Sequence, residues 1–470
     1  MSVSYLSRSP HAPSSTDTPN ARAALLQSAA HAAIGYLDGE DARPVAPRQE
    51  ALAALSALSG PLQEEPMGAD EVLHLLDTYG SPATVGKTGG RNFGFVNGGC
   101  LPAALVASWL VSTWDQNAAF FVQSPAAITM EEVALEWVRE LLGLPVGTGG
   151  AVVTGATMAN FTALAAARRA LLERAGWNVD DDGLFDAPPI TVVVGAEAHA
   201  SVAKVLGMLG LGRKRIVRVP VDGQGRMRAD ALPPLDERTI LCLQAGNVNT
   251  GAFDPAAEIC PAARAAGAWI HVDGAFGLWA AASPAYRWLT EGFEQADSWA
   301  TDAHKWPNVG YDCGIALVRD AAMLRGAMSI QASYLALGDH REPSDYNPEL
   351  SRRARGVELW AGLRSLGKQG MTEIVERTSR YAQRFADRLR TAGYEVLNDV
   401  VINQVLVSFG SAEKTLRTIA RIQEDGTCWC GSTVWQGHTA MRISVSSWAT
   451  TEADVERSLA AILRAAQENP

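Results

Sequence analysis

The chain has 470 residues, of which 47% are apolar and 19% charged, and its formal net charge is −11 at pH 7. This excludes a wholly disordered chain and provides for a large core, with room for one large domain and a smaller one. The acidic balance argues against a nucleic-acid binder, because the one basic cluster, Gly212–Arg218, flanks a strand pattern rather than forming a patch.

The N-terminal stretch MSVSYLSRSPHAPSSTDTPNAR is polar, rich in Ser and Pro, and lacks an apolar signal core. Residues 1–20 are therefore expected to be a disordered tail of a cytoplasmic protein. Residues 21–95 read as an N-terminal helical segment, with helical periodicity over Ala21–Gly39 and Asp70–Gly80, ending in the glycine-rich loop Gly86–Gly99. Two more helices are predicted around Leu101–Asp115 and Met130–Leu142. From about residue 150 short apolar runs alternate with helical segments: AVVTG (Ala151–Gly155), ITVVVG (Ile190–Gly195), RIVRVPV, TILCLQAG, WIHVDGA and CGIALV. That alternation predicts a large α/β domain over 96–365 with a mostly parallel sheet flanked by helices. Beyond Ser351–Gly367 the order is helix, YEVLN, NQVLVSF, helix, AMRISVS, helix, which predicts a small C-terminal α+β domain over 366–470. No apolar run is long enough to span a membrane. The six cysteines are scattered and suggest no disulfide framework, and Cys428-Trp429-Cys430 lacks the second Cys/His pair a metal site needs.

Four polar signals fall at the ends of predicted strands, where ligands of such sheets bind. VTGATMAN (Val153–Asn160) is a strand, a tight turn and a helix. Its backbone N–H groups and the Thr157 hydroxyl suit a phosphate, although many such turns look alike. His199 follows the strand Ile190–Gly195 and could stack on a flat ring or move protons, or be a plain loop histidine. Asp273 ends an apolar strand and could hold a protonated ring nitrogen, or cap a helix or a turn. Lys305, in TDAHKW, is one of six lysines and the one that lies between two apolar strand patterns. A partly desolvated lysine there becomes a nucleophile for carbonyls. A phosphate cradle, a stacking imidazole, an acid for a ring nitrogen and an imine-forming lysine together describe a pyridoxal 5'-phosphate site.

With these residues in place, the sequence resembles the group II pyridoxal-phosphate-dependent decarboxylases, which resemble aromatic-L-amino-acid decarboxylase and share the fold type I of aspartate aminotransferase. The similarity runs from about Asn92 to the C-terminus. It is carried in order by RNFGFVNGG, SPAAITMEEVALEW, AGNVNTGAFDP, HVDGAFG, DAHKW and SRRARGVELWAGLRSLG. The resemblance implies a mostly parallel seven-stranded sheet in the large domain. It makes Lys305 the residue that joins the cofactor aldehyde, and Asp273 the partner of the ring nitrogen. Ala275 then packs on one ring face and His199 on the other, Ala156 and Thr157 bind phosphate, and His304 lies beside the lysine. A homodimer with interfacial sites is implied, with the N-terminal helices wrapping the partner, and so is a small amino-acid substrate.

The departures bear on the chemistry. Asn247 in GNVNTG stands at a cofactor-side position, Ala303 replaces a common proline, and Ala156 replaces a glycine. The family's aromatic-amino-acid members protonate the carbanion left by CO2 with a tyrosine on a loop before the Arg-rich helix. In Leu335–Arg353 the nearest candidate is Tyr346, close to Arg352 and Arg353. The resemblance favours α-decarboxylation of an L-amino acid. Without a proton donor, O2 could intercept the carbanion and give an aldehyde. Arg442, in AMRISVS, could instead grip the α-carboxylate and favour transamination or β-elimination. Phe93, Phe95 and Trp114 could line the side-chain pocket, or serve as core. A non-catalytic cofactor carrier is the remaining reading.

Overall fold

The computed structural model describes residues 19–329 and 340–468. The expected tail therefore lies outside the described residues, apart from Pro19 and Asn20. The N-terminal segment contributes α1 (Pro19–Asp38), α2 (Gln49–Ala54) and α3 (Ala69–Leu75), none of which fully buries a side chain. Leu26 and Ile34 of α1 stay mostly exposed, so this segment has apolar surface that the described residues leave uncovered. Next come α4 (Pro102–Trp114) and α5 (Pro125–Leu141), each with proline in its first turn, where no N–H partner is required. That proline starts α5 at Pro125, earlier than the predicted Met130.

The alternating region folds as β1 (Gly149–Val153), α6 (Ala156–Arg174), α7 (Val179–Asp182), β2 (Thr191–Gly195), α8 (Ala200–Met208), β3 (Val217–Val219), β4 (Thr239–Gln244), α9 (Ala256–Ala265), β5 (Trp269–Asp273), β6 (Ser298–Asp302), β7 (Gly314–Val318) and α10 (Ala321–Met328). The seven strands lie in the order β1-β7-β6-β5-β4-β2-β3. The neighbours from β3 to β6 pair in parallel, and β7 runs antiparallel to both β1 and β6. The central strands β4, β5 and β6 are buried along almost their whole length because both faces are covered, whereas the edge strand β3 leaves Val217 and Arg218 exposed. In β2, Val193 packs into one layer, while Val192 and Val194 pack against α6 and α8 on the other.

The chain then enters α11 (Arg355–Thr391), which breaks at Gly367, whose φ of 59° and ψ of −175° are not helical. Arg352 anchors its approach by donating to both oxygens of Glu131 on α5, each at 2.8 Å, with both side chains buried. The rest is β8 (Glu395–Val396), β9 (Gln404–Ser408), α12 (Ala412–Asp425), β10 (Gly431–Trp435), β11 (His438–Ser444) and α13 (Glu452–Gln467). An antiparallel sheet, β10-β11-β9-β8, packs its own apolar core around Phe385, Val405 and Ile443. The edge strand β10 has no counterpart in the sequence reading, since GSTVW is half exposed. It reaches β11 through Gln436 and Gly437, both with positive φ, as a tight hairpin turn requires. Among the described residues no helix is long and apolar enough to cross a membrane.

Candidate active site

The carboxyl ends of β1, β2, β4, β5 and β6 converge on a cavity of about 560 Å³. The loops leaving these strands supply Gly155, His199, Gln244, Asp273 and Lys305, and the opposite wall is Phe95, Val96, Thr433 and Arg442. Sheet topology explains the convergence: parallel strands bring their carboxyl ends to one edge, and each feeds a loop there. The glycine-rich loop closes down on the same point. A Cβ at Gly98 would lie 1.8 Å from the carbonyl oxygen of Lys305, so only glycine fits.

Lys305 extends its Nζ to 2.9 Å from Oδ2 of Asp302, the last residue of β6. Oδ1 of the same carboxylate accepts the Ala156 N–H at 2.6 Å, at the start of α6, and lies 3.6 Å from His304 Nε2. Burial lowers the pKa of His304, and its Nδ1 accepts the N–H of Cys313 at 3.2 Å, so the proton of its neutral ring is on Nε2. Its ring stacks on Tyr311, with centroids 4.4 Å apart. Gly155 lets backbone come close here: a Cβ would meet His304 at 3.3 Å and Asp302 at 3.5 Å. Ala156 and Thr157 line the cavity beside it.

Asp273 ends β5 with its carboxylate buried, and among the described residues its carboxylate accepts one hydrogen bond, from the N–H of Ala275 at 3.3 Å. Burial pushes its pKa up, against the pull of His199 and Lys305. A buried carboxylate with so little compensation is a seat for a cationic group, and a protonated pyridine nitrogen is one. His199 caps α8: the N–H of Ser201 reaches Nδ1 at 3.3 Å and its hydroxyl lies at 2.7 Å. Nδ1 is thus an acceptor, and the neutral ring carries its proton on Nε2. The imidazole is exposed and lines the cavity. The donor set fits pyridoxal 5'-phosphate: amine, carboxylate and imidazole around one cavity, with the hydroxyl and N–H of Thr157 unpartnered among the described residues.

Arg442 of β11 faces the cavity and donates to the Val248 carbonyl at 3.2 Å. It has no carboxylate partner among the described residues, and burial lowers its pKa. Phe95 lines the rim at 65% exposure and, like Val96, adopts positive φ.

Four sequence-predicted positions lie elsewhere. Phe93 is buried edge-on against Phe385 in the C-terminal core. Trp114 ends α4, 41% exposed and outside the cavity lining. Asn247 is buried and shapes its own turn, its Oδ1 accepting the N–H groups of Asn249 and Thr250; its neighbours Gly246 and Val248 line the cavity instead. Tyr346 packs against the apolar cluster that includes Ala159 of α6, under the guanidinium of Arg341 at 4.2 Å from the ring centroid. It is not part of the lining of this chain's own cavity. Sequence reasoning missed Asp302, Gln244, Asn249 and Thr433. Asp302 carried a usable signal, since it ends an apolar strand as Asp273 does.

Comparison with known proteins agrees with this geometry. The family model described as the pyridoxal-dependent decarboxylase conserved domain matches residues 91–411. The chain is 31% identical over 375 residues to the aromatic-L-amino-acid decarboxylase of Drosophila lebanonensis, covering 74% of this chain and 91% of that one. It is 29% identical over 328 residues to the L-2,4-diaminobutyrate decarboxylase of Acinetobacter baumannii, covering 64% of this chain and 63% of that one. Among solved structures, Oryza sativa TDC with PLP and tryptamine superposes with a TM-score of 0.88 at 22% identity, over 96% of this chain and 99% of that one. Mouse CSAD in apo form gives 0.87 at 22% identity, over 95% and 99%. At that identity the structural likeness speaks for the fold.

Proposed function

The chain belongs to the pyridoxal-dependent decarboxylase family, and on that premise we propose that it cleaves the Cα–carboxylate bond of an L-amino acid with an apolar or aromatic side chain, releasing CO2 and the amine. The observation that carries this reading is the buried, under-compensated carboxylate of Asp273 in the same cavity as Lys305. Pyridoxal 5'-phosphate, when bound, supplies an aldehyde for the substrate amine and a conjugated ring that takes up the electron pair left by the departing carboxylate. Asp273 would keep the ring nitrogen protonated, and His199 and Ala275 would pack against the ring. Thr157 and the start of α6 would hold the phosphate, and Lys305 would supply the amine that joins the aldehyde. The apolar wall of Phe95, Val248 and Phe276 favours a substrate side chain without charge. The relatives act on differing side chains by name, so the family alone does not choose among them.

A homodimer is part of the reading. Trp109 and Leu110 on α4, with Leu26 and Ile34 on α1, leave large apolar side chains exposed, which a second subunit would cover. The cysteines are free, all but Cys100 buried, which supports a reducing, cytoplasmic setting.

Two branches have specific support. Arg442 is a cavity-facing guanidinium with no anion beside it among the described residues. If it clamps the α-carboxylate in a bidentate pair, CO2 loss is disfavoured and transamination or β-elimination follows. Tyr346 does not line this chain's own cavity, and the neighbouring tyrosine, Tyr334, lies outside the described residues. If neither donates, the aldehyde branch opens.

The test is to reduce the cofactor-loaded enzyme with sodium borohydride and map the digest. The pyridoxyl group is expected on the Lys305 peptide; its attachment to another lysine would overturn the assignment.

A further inference from the structure

The phosphate cradle contains an anion of its own. Asp302 has a side chain only 3% exposed, yet its carboxylate sits against the N-terminus of α6. Oδ1 takes the Ala156 N–H at 2.6 Å, and Oδ2 holds the Lys305 ammonium at 2.9 Å. These are a helix-end N–H and an amine that a phosphorylated aldehyde also requires. A carboxylate and a phosphate dianion in one buried cradle repel each other unless a proton lies between them.

We propose that Asp302 is a positioning residue that competes with the cofactor's phosphate for the start of α6, so that cofactor capture takes up one proton and weakens as pH rises. This rests on the reading of the cavity as a pyridoxal-phosphate site. The proton is shared between one Asp302 oxygen and one phosphate oxygen, and no other bond changes in that step. The charged and titratable groups facing Asp302 are Lys305 and His304 on its own loop, Asp273 at the end of β5, and Tyr311 and Cys313 before β7. The first turn of α6, Ala156 to Ala159, contributes no charged side chain. Lys305 is the cation on this loop that can offset the added phosphate charge, the neutral ring of His304 offers only its Nε2–H, and Asp273 is a second anion that opposes it.

The test uses the full-length protein stripped of cofactor, with inorganic phosphate and pyridoxal 5'-phosphate as probes. Phosphate binding is read by calorimetry and cofactor capture by absorbance, between pH 6.5 and 8.5. Asp302→Asn is expected to bind phosphate at least about tenfold tighter than the parent. It is also expected to bind with a pH dependence shallower by about one proton, and to capture the cofactor faster at pH 7. Equal or weaker phosphate binding by the variant, or an unchanged pH slope, would overturn the proposal. If Asp302→Asn does not fold, the parent decides alone: phosphate affinity that shows no proton uptake by calorimetry in buffers of different ionisation enthalpy rules the mechanism out. Failure of the parent to capture pyridoxal 5'-phosphate at all would instead count against the site assignment, so the two failures are distinguishable.

Discussion

Phe95 stacks on Trp429, with ring centroids 5.3 Å apart and planes 25° from parallel. This contact joins the cavity rim to the C-terminal sheet, because the backbone of Trp429 is bonded on either side to Arg91 and Phe93. Gly94 makes it possible: a Cβ there would lie 2.1 Å from the indole. The stack positions a residue that no packed core supports. An aromatic pair contributes about 0.5–1.5 kcal/mol beyond its buried area. Trp429→Ala should therefore raise KM about two- to tenfold with little change in kcat, and Gly94→Ala should do at least as much by displacing the indole. Steady-state kinetics with the best substrate checks both, and an unchanged KM would remove Phe95 from the substrate wall.

Lys305 and Asp273 should separate in their effects. Lys305→Ala is expected to abolish turnover together with the cofactor's protein-bound absorbance band. Asp273→Ala should retain some cofactor yet lose about two to three orders of magnitude in kcat, because the electron pair at Cα loses its electrostatic sink. Near-normal turnover of Asp273→Ala would contradict its pairing with the ring nitrogen.

The two tyrosines between α10 and α11 give a contrast. Tyr346→Phe should leave the product unchanged, since its ring packs on an apolar cluster beside Arg341 and does not line the cavity of its own chain. If Tyr334 supplies the proton, Tyr334→Phe should shift product from amine to aldehyde and begin to consume O2. Mass spectrometry of the products with an oxygen electrode reads both outcomes.

Two buried groups set opposing pH dependences of stability. His271 bonds Ser298 and Asn160, and burial lowers its pKa from 6.5 to about 3. Its contribution is complete above pH 6.5 and is lost as pH falls towards 3. Asp254 is pushed up from 3.8 to about 6 by burial, despite accepting the N–H groups of Met227 and Gln244. Its contribution is complete below pH 3.8 and is lost as pH rises through 6. Between pH 6 and 4 the two slopes oppose, each about 1.4 kcal/mol per pH unit. His271→Gln should thus gain stability relative to the parent by about that amount per unit of acidification, measured by urea unfolding. Parallel stability curves for parent and variant would show that His271 does not titrate as its burial dictates.

The parts legible in the sequence lie at or shortly after the ends of apolar strand patterns. Asp273 ends one, His199 follows another by four residues and Lys305 lies between two, and the sheet brings all three to one cavity. Asp302 met the same criterion but stood beside a more conspicuous lysine. Thr433 was hidden because β10 alternates exposed and buried residues and has no apolar run. Phe93 and Phe95 could not be told apart by periodicity. Positive φ at Phe95 and Val96 turns the chain, so one ring enters the core and the other meets the cavity. Tyr346 was chosen by distance along the chain, which does not say on which side of α6 a loop runs.

The most direct measurement is the fate of the substrate's carboxylate carbon. Cofactor-loaded enzyme would be given a panel of L-amino acids labelled with 13C at C1, with and without O2. The account predicts labelled CO2 and unlabelled amine in equal amounts in both atmospheres. Label retained in a keto acid, or in the fragment left after a thiol departs, would contradict decarboxylation and give the chemistry to Arg442.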